Sequence, residues 1–121
     1  MAEQHRPCPP PPAQIAPFVQ ALGLETAVRF LLTFGGAPLD FPADPKGRSR
    51  AEALVGREGM IALAAQLNLP RRIPLSKPWL AAYFHSRGHS VHDIARTLRA
   101  TDFTVRRWLA KETERGKRFD P

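Results

Sequence analysis

The stretch Ser90–Leu109, SVHDIARTLRATDFTVRRWL, leaves few folds open to the part of the chain that holds it. Ser90 with Asp93 three residues on is a capping box of the S/T-x-x-D/E form, so a helix starts at about Val91. Ile94, Ala95 and Leu98 give that helix an inward stripe with one small member. A break follows at Arg99-Ala100. Thr101 then offers a hydroxyl to cap a second helix, and Asp102 beside it suits the positive end of the dipole. Val105, Trp108 and Leu109 form the core stripe of the second helix, which leaves Asp102, Phe103, Thr104, Arg106 and Arg107 facing outward. Two short helices about a tight turn, with alanine where they cross, make the pattern of a helix-turn-helix. Arg99 stands where such turns often carry glycine. The competing reading is an αα-hairpin with an ordinary solvated basic face.

The rest of the chain supplies what surrounds that motif. Residues 1–13, MAEQHRPCPPPPA, read as a disordered proline-rich leader, since prolines favour polyproline II and cannot join a helix or sheet ladder. From Gln14 the pattern turns helical. Ile15, Phe18, Val19 and Leu22 share a face, Gly23 ends or bends that helix, and Leu24, Ala27, Val28, Leu31, Leu32 and Phe34 continue it to Gly35-Gly36. Ala37–Pro42 alternates as a short edge strand, with Leu39 and Phe41 set against Asp40. Ala43–Ser49 is a loop.

A second copy of this unit is readable further on. Gly23-Leu24-Glu25 falls over Gly56-Arg57-Glu58 at an offset of 33, with Val28 on Ile61, Phe30 on Leu63 and Phe34 on Leu67. Pro38 and Pro42 then match Pro70 and Pro74 after one residue is lost. The pattern predicts a helix-helix-strand unit occurring twice, over 14–45 and 49–75, with the two strands paired antiparallel. Ser76-Lys77-Pro78 opens a further helix with Leu80, Tyr83 and Phe84 as its stripe, closed by Arg87-Gly88. It completes the three-helix core of a helix-turn-helix domain over 76–112. Ala110–Asp120 is charged and lacks an apolar stripe, so the last helix runs on for a turn or two and 113–121 forms a flexible tail. The expected fold is mainly α: an N-terminal helical module with a short two-stranded antiparallel β element, then a C-terminal three-helix helix-turn-helix domain.

Charge narrows the partners. The chain of 121 residues has a net charge of +7. Residues 77–121 carry ten Lys/Arg against five Asp/Glu, and residues 1–76 eight against six, so the C-terminal part holds most of the excess. An anionic partner is implied, with double-stranded DNA the best match to the motif. No apolar run approaches a membrane span, and the single cysteine, Cys8, excludes an internal disulfide and fits a reducing cytoplasm. His85, His89 and His92 with Asp93 suggest a metal site, but their spacing crosses a helix end and a turn, and surface or phosphate-facing histidines are the better reading. No phosphate loop, Ser/His/Asp set or paired carboxylates stand out, so neither enzyme activity nor a cofactor is expected.

The block LGLETAVRFLLTFGGAPLDFP is close to the L-G-x-E-x-A-x-x-L-x-x-x-F-G-G-x-x-x-x-x-P signature of the Mor transcription activator family, phage Mu-type activators of middle and late genes. The resemblance covers about residues 18–110 in two blocks. It implies a cytoplasmic, nucleoid-associated DNA-binding activator of phage or prophage-type genes. It further implies that residues 14–75 act as a dimerisation-type module, that the C-terminal motif enters the major groove, and that RNA polymerase is contacted. In the family the helix-helix-strand unit occurs once and two chains intertwine through it. Here the second unit leaves open a homodimer or a single chain acting as its own pseudo-dimer.

For DNA, the sequence nominates particular residues. A recognition helix over about 102–111 presents Asp102, Phe103 and Arg106 to base edges; Arg106 suits guanine O6/N7 and Phe103 a thymine methyl. Phe103 has a second reading, packed against Tyr83 or Phe84. Thr101 and Arg107, with the exposed N–H groups of the helix starting at Val91, suit phosphates, and Ser90 and Thr104 complete the DNA-binding set. Arg99 and Lys111, with Lys77 and Arg87, add affinity that falls with salt. Besides a transcription regulator, two readings stand: a DNA-recognition subunit of a recombination or packaging complex, and a basic protein-protein interaction module.

Overall fold

The structure, a computed structural model, describes residues 8–37, 50–66, 69–70 and 72–117. Its helices are α1 (Ala16–Leu22), α2 (Leu24–Phe34), α3 (Arg50–Ala64), α4 (Lys77–Ser86), α5 (Val91–Leu98) and α6 (Asp102–Lys117). They fall into two units. One holds Pro11–Ser76, and the other combines the chain start up to Pro10 with Lys77–Pro121.

In the first unit α1, α2 and α3 pack on one another. Ile15, Phe18, Phe30, Leu31, Met60 and Leu63 are all but fully buried, and the rings of Phe18 and Phe30 stack at 5.8 Å between centroids. Burying six such side chains, at about 1.5–3 kcal/mol each, is the main force holding three short helices together. Leu32 departs from the expected stripe and stays 40% exposed. Two glycines shape the unit in the same way. Gly23 separates α1 from α2 at φ 83°, ψ 162°, and Gly56 breaks α3 at φ 80°, ψ 166°. Both values lie in a region that glycine alone enters readily. The offset of 33 that aligns the two sequence blocks thus pairs two glycines of the same backbone conformation.

The expected two-stranded β element is corrected by the structure. Among the described residues there is no strand or sheet; the pairing stops at one isolated bridge, at Arg72. The Gly36 N–H donates to the Ile73 carbonyl at 2.6 Å and the Ile73 N–H to the Ala37 carbonyl at 3.0 Å. Prolines explain why the ladder does not spread. Pro70 and Pro74 flank this bridge and have no N–H to donate. Of the other expected strand, Ala37–Pro42, all but Ala37 lies outside the described residues, as does the loop after it.

The second unit is a three-helix arrangement in which α4, α5 and α6 touch pairwise. Trp79, Leu80, Ala81, Ile94, Ala95, Leu98 and Val105 form its core. Of the expected α4 stripe, Leu80 and Tyr83 are buried but Phe84 is half-buried, and the bulkiest fully buried side chain is Trp79, which the stripe omitted. Its indole Nε1–H donates to the Pro9 carbonyl at 3.0 Å.

That bond also bears on the leader. Residues 8–10 are tied onto the helices, because prolines lose their N–H but keep a carbonyl: Pro9 accepts from Trp79, and Pro10 from the Arg115 guanidinium. Pro12 in turn accepts from the Ile15 and Ala16 N–H groups at the start of the first unit. Residues 1–7 lie outside the described residues. In the expected tail, residues 113–117 continue α6. Glu112–Arg115 and Glu114–Lys117 pair at i,i+3, and the two cations suit the negative end of the helix dipole. Residues 118–121 are outside the described set.

Candidate nucleic-acid interface

Each turn of the helix-turn-helix has a local cause. The Ser90 Oγ accepts the Asp93 N–H at 3.1 Å, which satisfies an orphan donor at the start of α5. At its other end Arg99 adopts a left-handed backbone, φ 56° and ψ 55°, and the Ala100 N–H returns to the Ala95 carbonyl at 2.9 Å. An arginine thus takes the place where glycine would be unstrained, at a cost of roughly 1–2 kcal/mol. The Thr101 Oγ1 accepts the Thr104 N–H at 3.0 Å and donates its own proton to the Thr104 hydroxyl at 3.0 Å, which starts α6 at Asp102.

Three inward residues dock these helices. Ala95 and Val105 are buried and Leu98 is 3% exposed, while Trp108 and Leu109, read as core, are half-buried. With Val105 inside, the opposite side of α6 must face solvent. Phe103, Arg106, Arg107 and Lys111 are all exposed there, spaced at i, i+3, i+4 and i+8. Phe103 is 68% exposed, so its packing against Tyr83 or Phe84 does not occur. Those two rings meet each other instead at 5.3 Å. The Arg107 guanidinium lies 5.8 Å from the Phe103 centroid, a cation–π contact that leaves the guanidinium in water.

The remaining nominated residues are distributed around this strip. Thr101 is exposed, and Asp102 and Thr104 are half-buried. Ser90 and Arg99 are exposed at opposite ends of α5. Arg87 stacks its guanidinium 5.2 Å from the Tyr83 centroid, and Lys77 is half-buried at the start of α4. Sequence reasoning missed one neighbour. His92 Nδ1 sits 3.9 Å from Asp102 Oδ1, with both side chains solvated. The signal was present: His92 lies in the first turn of α5 and Asp102 in that of α6, and a helix-turn-helix brings its two helices together. His89 packs edge-on against Phe84 at 5.3 Å. Among the described residues no three His, Cys, Asp or Glu side chains come together as a metal site.

A strip of two arginines, a lysine and an aromatic ring on one helix face can hold phosphates by charge, hydrogen-bond base edges and stack or contact apolar groups. It contains no nucleophile–base pair. Among the described residues, no helix is long and apolar enough to cross a membrane. Scans of family models, curated proteins and solved structures return no match for this chain.

Proposed function

We propose that the chain is a sequence-specific DNA-binding transcription regulator that inserts the N-terminal half of α6 into the major groove. The observation that carries this reading is the exposed strip Phe103–Arg106–Arg107–Lys111 on a helix fixed at its start by the Thr101 cap. The net charge of +5 on residues 77–121 supports it, since phosphate neutralisation supplies most of the sequence-independent affinity. In this reading Arg106 takes the O6/N7 edge of a guanine and Phe103 a thymine methyl, while Arg107, Lys111 and Arg99 engage phosphates. The resemblance to the Mor family makes activation of phage or prophage-type genes, with RNA polymerase as a partner, the preferred output. It also makes the nucleoid of a bacterial cytoplasm the expected location.

Selection of bound sites from random duplex DNA at physiological salt tests the proposal. The expected result is a recovered motif. A pseudo-palindrome with half-sites about one helical turn apart makes the regulator a homodimer. A single asymmetric motif makes it one-headed, as the shared backbone of Gly23 and Gly56 favours. No enrichment overturns the reading and leaves the basic protein-binding module.

A further inference from the structure

The second unit contains a cavity of about 490 Å³ that the DNA reading does not use. Its walls come from the strapped segment Cys8–Pro10, from α4 and from the C-terminal turns of α6. Six of the twelve lining residues are apolar or small: Pro9, Pro10, Ala82, Leu109, Ala110 and Gly116. The volume lies within the range of about 300–1,000 Å³ that takes small organic ligands. The strap is held in place by the Trp79 indole on the Pro9 carbonyl and the Arg115 guanidinium on the Pro10 carbonyl.

One polar group in this wall is unusual. Glu112 is 7% exposed, and Arg115 binds it through Nε at 3.1 Å and Nη2 at 2.7 Å. Both bonds go to Oε1. Among the described residues Oε2 accepts no hydrogen bond. None of their fully buried side-chain oxygens lacks a partner, so Oε2 keeps some open surface, and Glu112 is among the residues that line the cavity. A carboxylate oxygen with lone pairs to spare at a cavity wall can take a donor from a ligand seated there. The charge of that donor is also constrained. Arg115 already neutralises Glu112, and Lys117 and His85 line the same cavity, so a second cation is disfavoured. An anion would meet the carboxylate itself.

We propose that this cavity is a binding site for a neutral, largely apolar small molecule that carries one N–H or O–H donor, which it gives to Glu112 Oε2. The site lies at the opposite end of α6 from Phe103 and Arg106, so it stands independently of the DNA reading.

The test uses the full chain and two probes, indole and 1-methylindole, which differ in whether the ring nitrogen carries a proton. Amide chemical shifts of Ala82, Leu109 and Ala110 are followed through each titration. Indole is expected to saturate these shifts, with 1-methylindole at least about tenfold weaker, because a bond to a charged acceptor is among the stronger ones. Glu112→Gln, which keeps an oxygen for Arg115 but turns an N–H₂ toward the cavity, should erase the difference between the probes. Ala110→Trp, at an exposed rim position, should block both. Equal affinity for the two probes, or no saturable shift at the cavity, overturns the proposal. Should Glu112→Gln fail to fold, the wild-type comparison and Ala110→Trp still decide it.

Discussion

Arg107 holds its guanidinium 5.8 Å over the ring of Phe103, one turn back on the same exposed face of α6, and that ring is 68% exposed. A large aromatic left in water and steadied by a cation contributes little to folding, so the pair separates binding from stability. Phe103→Ala should change unfolding free energy by less than about 0.5 kcal/mol. Arg106→Ala should be equally silent in unfolding yet cost about 1–3 kcal/mol of site binding and relax preference at one base pair. Urea unfolding and binding isotherms on a selected site check both. Undiminished binding by Arg106→Ala would remove this docking.

Arg99 makes a second separation, because its backbone and its charge act in opposite directions. Its left-handed φ of 56° is strained for arginine and free for glycine. The side chain is exposed, and glycine loses no core contact there. Arg99→Gly is expected to stabilise the chain by about 0.5–1 kcal/mol, read as a higher unfolding midpoint. The same variant should weaken DNA binding uniformly across sequences and lower the salt slope by about one. A destabilised variant would mean that the arginine side chain makes a contact that outweighs the strain.

The parts of this fold that were legible in the sequence are those whose cause is local. Ser90 and Thr101 announce helix starts because a cap acts on an N–H three residues away, and both bonds form at those positions. Ile94, Ala95, Leu98 and Val105 followed from helical spacing. Trp79 did not, since its burial is secured by a carbonyl seventy residues earlier in the chain. The same distant bond turns Cys8–Pro10 from a leader into a wall. The strand expectation failed on a known property of proline: the repeat that sets Pro70 and Pro74 over Pro38 and Pro42 implies a ladder to which neither Pro70 nor Pro74 can donate. Glu112 looked like one more charge in a charged tail, and periodicity gives no sign that an acid is buried against Arg115.

Gly23 and Gly56 allow a direct test of the internal duplication. A Cβ at either position would meet nothing within 4 Å, so alanine there brings no clash with neighbours. The whole cost is the backbone, at φ near 80° and ψ near 165°, and should be about 1–3 kcal/mol for each alanine variant. Similar losses for Gly23→Ala and Gly56→Ala, measured by denaturant unfolding, are expected if the two linkers do the same work. A costly Gly23→Ala beside a silent Gly56→Ala would show that only the first linker fixes the packing of its helices.

Cys8 gives the strap a dependence on pH. Burial pushes its thiol above the ordinary value of 9.0; the Ser86 hydrogen bond and the charge of Arg87 pull it back, Glu112 pushes it up again, and Arg115 lowers it. The net shift is upward, so the folded chain disfavours the thiolate more than the unfolded chain does. The contribution to stability is therefore complete below the unfolded thiol's ordinary value and is lost as pH rises through the folded value. Unfolding midpoints of the wild type should fall more steeply between about pH 8 and 10 than those of Cys8→Ser, with the two curves parallel below about pH 7.5. The strap should also slow alkylation of the thiol at neutral pH relative to the urea-unfolded chain, because the thiolate is the nucleophile that attacks the reagent. Identical slopes for the two proteins would mean that Cys8 titrates in the folded chain as it does in the unfolded one, and that the segment does not seat its thiol against α4 and α6.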